Sequence, residues 1–189
     1  MYHIKPDKRA QTSATLLYQG LSLCMQEKPF DKITISDLQE ASSVSRATFY
    51  RNFDTLTDIL YWQCDCQFED FAKKFLQDEI ARTQQNGLLL FFFSLWFQNS
   101  AILEQLVQIQ RIDIILECHT KHSVIISDYY RNQYQLPDVH YDYFMAVRTH
   151  MFIGVLLVWL QHGKQETAAQ LLDIVHKQIE FVRNSDVYI

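Results

Sequence analysis

Ile33-Thr34-Ile35-Ser36-Asp37-Leu38-Gln39-Glu40-Ala41-Ser42-Ser43-Val44-Ser45-Arg46-Ala47-Thr48-Phe49-Tyr50-Arg51-Asn52-Phe53 reads as two short helices joined by a tight turn. Thr34 stands three residues before Asp37, the spacing of an N-cap with an acidic N3 partner. Leu38 and Ala41 then share a face, and Ser42-Ser43 interrupts the pattern. Ser45 is placed to cap a second helix in which Phe49 and Phe53 stack at i and i+4. A helix, a turn of about three residues and a second helix with an exposed polar-aromatic face is the plan of a helix-turn-helix, whose second helix lies in the DNA major groove.

Outward from this stretch the chain reads as helical throughout. Its 189 residues hold only four Gly and three Pro, and 48% are hydrophobic, so breakers are few and a sizeable core is available. Upstream, Pro6-Asp7 reads as a helix opening, with Pro at N1 and an acid in the first turn. Ala14, Leu17, Tyr18, Leu21, Cys24 and Met25 follow at helical spacing as far as a turn at Lys28-Pro29-Phe30-Asp31. Downstream, Asp54 or Thr55 caps a helix with Leu56, Ile59, Leu60 and Gln63 on its inward face, expected to run to about Arg82. Gln84-Gln85-Asn86-Gly87 is the clearest break, read as a boundary of function but not of packing. Leu88 to Phe97 is apolar nearly all round and predicts a buried helix, and Asn99-Ser100 caps a short one. Arg111 to Gln133 is a long amphipathic segment, ended by Leu136-Pro137-Asp138. Tyr141 to Gln161 is a further long helix, stopped by His162-Gly163-Lys164. Thr167 to Gln170 is a capping box, and Leu171, Leu172, Val175, Ile179 and Val182 make a stripe on the last helix.

Net charge is −5, which argues against a general polyanion binder, but the distribution is uneven. Residues 1–53 carry seven basic side chains (Lys5, Lys8, Arg9, Lys28, Lys32, Arg46, Arg51) and five acidic ones, whereas the remainder carries ten basic and seventeen acidic. A basic end on an acidic body suits DNA contact at one end only. Cys24, Cys64, Cys66 and Cys118, with no leader pattern, read as reduced cytosolic thiols. The longest apolar runs, near Leu88–Phe93 and Met151–Leu160, fall short of the roughly 20 residues that span a bilayer, so no membrane association is expected.

These residues carry a resemblance. Phe30-Asp31-Lys32-Ile33-Thr34-Ile35, Leu38, Ala41, Val44-Ser45-Arg46-Ala47-Thr48-Phe49-Tyr50, Phe53 and Ile59-Leu60, after a helix of some 20 residues, resemble the DNA-binding domain of the TetR family of transcriptional regulators over residues 6–60. Gly154 to Gly163 with the capped helix after it resembles the C-terminal part of the subgroup that includes activators of dihydroxyacetone kinase operons. The resemblance implies an all-α chain. A three-helix DNA-binding domain would occupy residues 1–54, and a helical effector-binding and dimerisation domain residues 55–189. It implies a cytoplasmic homodimer on the palindromic operator of double-stranded DNA, with a four-helix interface from the last two helices of each subunit. The activity implied is regulation, most often repression released by an apolar small-molecule effector; the alternative is an activator under a protein co-regulator. A third reading is an interaction module whose DNA face has decayed. It is kept open by two departures from the family, Ser43 where Gly is usual in the turn and Leu56 where a phosphate-seeking Lys is usual.

The face opposite Phe49 and Phe53 supplies the candidate DNA contacts. Arg46 and Arg51 suit base edges, since a guanidinium fits guanine O6 and N7 bidentately, and Ala47 suits a thymine methyl. Ser45, Thr48 and Tyr50 have hydroxyls for phosphates, and Thr34 offers a hydroxyl and helix N-terminal amides. Lys8 and Arg9 reach the flanking backbone. Tyr50 as packing, Arg51 as solvated surface and Asn52 as a residue facing neighbouring helices are the competing readings.

Elsewhere, Cys118, His119 and His122 fall on one helix. Histidines at i and i+3 can share a metal, but partly exposed helix residues are the default, and no metal or cofactor is expected. Phe91-Phe92-Phe93, Trp96 and Phe97 read as core or as the lining of an apolar effector cavity. The last stripe, with Phe144, Val147, Met151, Val155 and Trp159 on the preceding helix, is more apolar surface than one subunit hides, which an isologous dimer would cover. No phosphate loop, nucleophile elbow or paired-carboxylate signature appears, so no enzymatic activity is expected.

Overall fold

The computed structural model describes residues 1–134 and 138–184, and these are all-helical. The Leu136-Pro137 break falls outside the described residues. Asp7 caps α1 (Lys8–Glu27), its carboxylate accepting from Ala10 N at 2.9 Å. It therefore stands one position outside the helix rather than in its first turn. A single 3-10 turn, Phe30–Lys32, leads to α2 (Ile35–Ser42) and α3 (Arg46–Asn52). Ala14, Leu17 and Leu21 of α1, Leu38 of α2 and Phe49 of α3 close one core, joined by Ile59 and Leu60 from α4 (Leu56–Gln77). Thr55 and Asp58 complete a capping box at the start of α4, a device that each cap residue supplies at about 1 kcal/mol.

α4 stops at Gln77, short of Arg82. Asp78 ends it and caps the next helix, α5 (Glu79–Thr83), by accepting from Ala81 N at 2.9 Å. α6 (Gly87–Gln98) starts at the Gly87 of the sequence break, and packing runs straight across that break. A Cβ at Gly87 would sit 2.0 Å from the Ala81 carbonyl oxygen, so only glycine lets α6 approach α5 this closely. α7 (Ala101–Gln108) follows at a bend of 75°. α8 (Ile112–Tyr134) packs along α4 and against α9 (Asp138–Gln161). α9 ends where Gly163 and Lys164 take left-handed backbone and Lys164 N donates to the Trp159 carbonyl at 2.9 Å. Lys164 Nζ also reaches Glu104 on α7 at 2.7 Å. α10 (Ala168–Asn184) opens on a reciprocal box, Thr167 N to Gln170 Oε1 at 2.8 Å and Gln170 N to Thr167 Oγ1 at 3.3 Å.

α9 is more apolar than its longest uninterrupted run suggests. Tyr141–Gln161 is 21 residues long and contains an 18-residue window of mean hydropathy 1.6, long and apolar enough to cross a bilayer by length and composition. In the fold this helix is apolar on two sides for different reasons: Phe152, Ile153, Leu156 and Trp159 enter the core, while Val147 and Val158 face outward.

Candidate functional site

The capping box that starts α2 forms as its spacing predicts. Thr34 N donates to Asp37 Oδ2 at 2.7 Å, and Asp37 N donates to Thr34 Oγ1 at 3.2 Å. The Thr34 hydroxyl also donates to Asp37, and Lys28 Nζ lies 2.8 Å from the same carboxylate. Lys28 first, then the Thr34 bonds, hold the Asp37 carboxyl down to about 2. The same bonds involve Thr34, the candidate phosphate contact. Its amide and hydroxyl both serve Asp37, and a carboxylate already occupies the anion position at that helix end.

The turn closes on Ser43 at φ 57°, ψ 19°, with Ser43 N donating to the Gln39 carbonyl at 2.9 Å. Ser45 then caps α3 through Thr48 N at 3.3 Å. Its hydroxyl donates to Thr48 Oγ1 at 3.1 Å, and Arg51 Nη2 donates to that same oxygen at 2.8 Å. Ser45, Thr48 and Arg51 thus form one hydrogen-bonded row that aims the Arg51 guanidinium along the helix. Arg46, Ala47, Tyr50 and Arg51 are exposed together on one side, while Phe49 and Phe53 are buried on the other. The Tyr50 ring meets Phe49 edge-on at 5.0 Å and the residue is still 57% exposed. Asn52 is turned away from that exposed side, into the gap between α3 and the start of α1. It is 4% exposed, its carbonyl accepts from His3 N at 2.8 Å, and it faces α1 and the N-terminal arm.

A groove of about 310 Å³ runs between α3 and the start of α1, lined by His3, Lys5, Asp7, Arg9, Thr48 and Arg51. His3 and Lys5 are additions to the sequence-based set. The charge count at the chain's basic end pointed to Lys5, but nothing local told that the arm lies alongside α3. Three permanent cations around one carboxylate make the groove electropositive and open to water, the setting for backbone phosphates.

Inside the body, α4, α6, α8 and α9 meet around Phe68, Phe71, Phe92 and Phe152. Cys118, His119 and His122 are buried here, not partly exposed as expected. The two imidazoles serve different partners: His119 Nδ1 lies 3.1 Å from the Thr149 hydroxyl, His122 Nε2 2.8 Å from Asp65 Oδ1. Burial, then the nearby Arg148 charge, pushes His119 down to about 3. Among the described residues no three His, Cys, Asp or Glu side chains gather as a metal site. The aromatics are mostly core. Phe91 packs on Phe71 and Phe75, Phe93 on Phe97, and Phe97 stacks flat on Trp159 at 4.1 Å. Phe92, His119, His122, Ser123, Arg148 and Phe152 border a cavity of about 10 Å³, the room of roughly one water.

The outer face of α9 and α10 is apolar and open. Val147, Val158, Ile174, Ile179 and Val182 are exposed beside Met151 and Val155, forming two adjoining grooves of about 440 and 410 Å³. Leu171, Val175 and Trp159 form the floor of these grooves. They are buried, and Trp159 Nε1 donates to the Glu166 carbonyl at 3.1 Å.

No protein-family model matches the chain, and no curated protein matches it in sequence. Among solved structures, Lin0861 from Listeria innocua is similar, with a TM-score of 0.80 over 95% of this chain and 96% of that one, at 20% identity. That likeness shows a shared helical fold.

Proposed function

We propose that the chain is a regulator of the TetR kind, binding double-stranded DNA as a homodimer. The observation that carries this reading is the exposed row Arg46, Ala47, Tyr50 and Arg51 on a side-chain-capped helix, beside the groove of Lys5 and Arg9. Two guanidiniums, a methyl and a phenol on the free side of a short helix can read base edges, and the groove can hold phosphates. The apolar outer face of α9 and α10 supports the dimer. It is self-complementary in chemistry and too large to be a scattering of single apolar residues.

Two regulatory readings differ in what enters the body. In the first, a small apolar molecule widens the cavity between α4, α6, α8 and α9, changes the spacing of the two α3 helices and releases a repressor from its operator. In the second, a protein co-regulator binds outside and the chain is an activator, a reading favoured by a cavity of only about 10 Å³. Apolar compounds should raise the melting temperature in the first case and leave it unchanged in the second.

The test of DNA reading is selection of bound duplexes from a random pool. A palindrome with half-sites about one helical turn apart is the expected product. Arg46→Ala should then weaken binding about tenfold or more at unchanged far-UV helicity, and Tyr50→Phe should weaken it less. A pool that enriches no sequence, or two variants that bind like the parent, would sink the reading.

A further inference from the structure

We propose that the N-terminal arm is a strap that couples the packing of α8 on α4 to the C-terminal end of α3, with Asp65 as the shared anchor. Asp65 lies on α4 and is 5% exposed, so its carboxylate needs partners, and it takes them from two other segments. From α8, Lys121 Nζ approaches to 2.8 Å and His122 Nε2 to 2.8 Å. From the arm, the Tyr2 hydroxyl donates to Oδ2. Burial alone would raise the Asp65 carboxyl; the bonds from His122, Lys121 and Tyr2 outweigh it and hold the group ionised far into acid.

Tyr2 has a second attachment. Its backbone pairs antiparallel with Phe53, the cap residue of α3, and His3 N donates to the Asn52 carbonyl. Its ring leans on Tyr61 of α4 at 5.9 Å between centroids. Tyr2 therefore touches α3 with its main chain and Asp65 with its side chain. His122 is at once a bond to Asp65 and part of the wall of the body cavity. A movement of α8 that withdraws His122 or Lys121 loosens Asp65, and the arm bound to it is the part that holds the end of α3. The role as a switch rests on the regulator reading; the mechanical link does not.

Amide hydrogen exchange, followed by NMR on the full chain without DNA, separates the two. The His3 amide, bonded to Asn52, reports the strap. Tyr2→Phe should speed its exchange about tenfold, the size expected when one hydrogen bond to a charged group is lost. His122→Ala should speed it as well, from the far side of Asp65. Lys121→Ala, at a side chain that is 52% exposed, gives the same reading should the His122 variant fold poorly. His150→Ala, on the exposed side of α9, should leave the His3 amide unchanged. If both α8 variants alter exchange only within α4 and α8 and the His3 amide keeps its parent rate, the strap is overturned. That outcome leaves the DNA selection untouched, just as an empty selection would leave the exchange result standing.

Discussion

Gly20 and Gly154 both sit inside helices, yet adding one methyl to each should move stability in opposite directions. At Gly20, on α1, a Cβ would lie 2.7 Å from Ser42 Cβ, 2.8 Å from Ser42 N and 2.9 Å from Ser42 Cα. Carbon atoms rest about 3.5–4.0 Å apart. Two of the three atoms are backbone, so no rotamer relieves the clash and α2 must retreat from α1 by about 1 Å. Overpacking of this kind costs about 3 kcal/mol at its upper end. The better helix propensity of Ala returns about 1 kcal/mol. The net loss of about 2 kcal/mol lowers the melting temperature by roughly 4–8 °C for a chain of this length. At Gly154, in α9, a Cβ meets nothing within 4 Å. Only the propensity gain of about 1 kcal/mol remains, so Gly154→Ala should melt roughly 2–4 °C higher. Thermal unfolding followed at 222 nm measures both, at two protein concentrations. Gly154 borders the apolar face of α9 and α10, and a gain that shrinks at the higher concentration would mean that a second copy presses there. Gly20→Ala melting at or above the parent would refute the packing of α1 on α2. The same displacement enters the turn, because Ser42 Oγ accepts from Val44 N at 3.2 Å, so Gly20→Ala should also weaken operator binding.

Ser43 at φ 57° bears the left-handed penalty of about 1–2 kcal/mol, partly offset by the greater freedom of an unfolded glycine, so Ser43→Gly should stabilise by about 0.5–1 kcal/mol and Ser43→Val should destabilise; a glycine variant that melts lower in the same thermal assay contradicts this. His119 titrates near 6.5 when unfolded and about 3 when folded, so its contribution is complete above pH 6.5 and is lost as pH falls toward 3. Between pH 6.5 and 5 denaturant unfolding should show a loss of about 2 kcal/mol that His119→Gln abolishes, and an equal slope in both proteins would mean that the imidazole is not buried neutral.

What was legible in the sequence was what the chain does within about four residues. Thr34 with Asp37 and Thr167 with Gln170 satisfy helix N-termini through side chains three apart, as their spacing predicts; Ser45 caps α3, and of Asp54 and Thr55 it is Thr55 that caps α4. The same logic applied to Asp78 and Ala81 would have ended α4 at Gln77. Ile80 and Ala81 keep the helical spacing of Leu76 across Asp78, so the stretch reads as continuing helix. The exposed side of α3 was legible for a related reason: in a short helix, fixing Phe49 and Phe53 inward leaves only one arc for Arg46, Ala47, Tyr50 and Arg51. Asn52 lay at the edge of that arc, and its burial depends on an arm that arrives from 50 residues upstream. α9 gave no such purchase. It carries apolar residues on two sides, so periodicity does not separate Trp159, held in the core by Phe97, from Val158 beside it, which faces out. The Asp65 anchor was illegible for the strongest version of this reason. Its partners Tyr2 and His122 stand 63 and 57 residues away, and each read singly is an ordinary surface residue. Only the packing of α8 and of the N-terminal arm on α4 brings the three into one hydrogen-bonded cluster. The row on α3 proposed to meet DNA is therefore written locally, whereas the link proposed to carry a signal to it is written only in the fold.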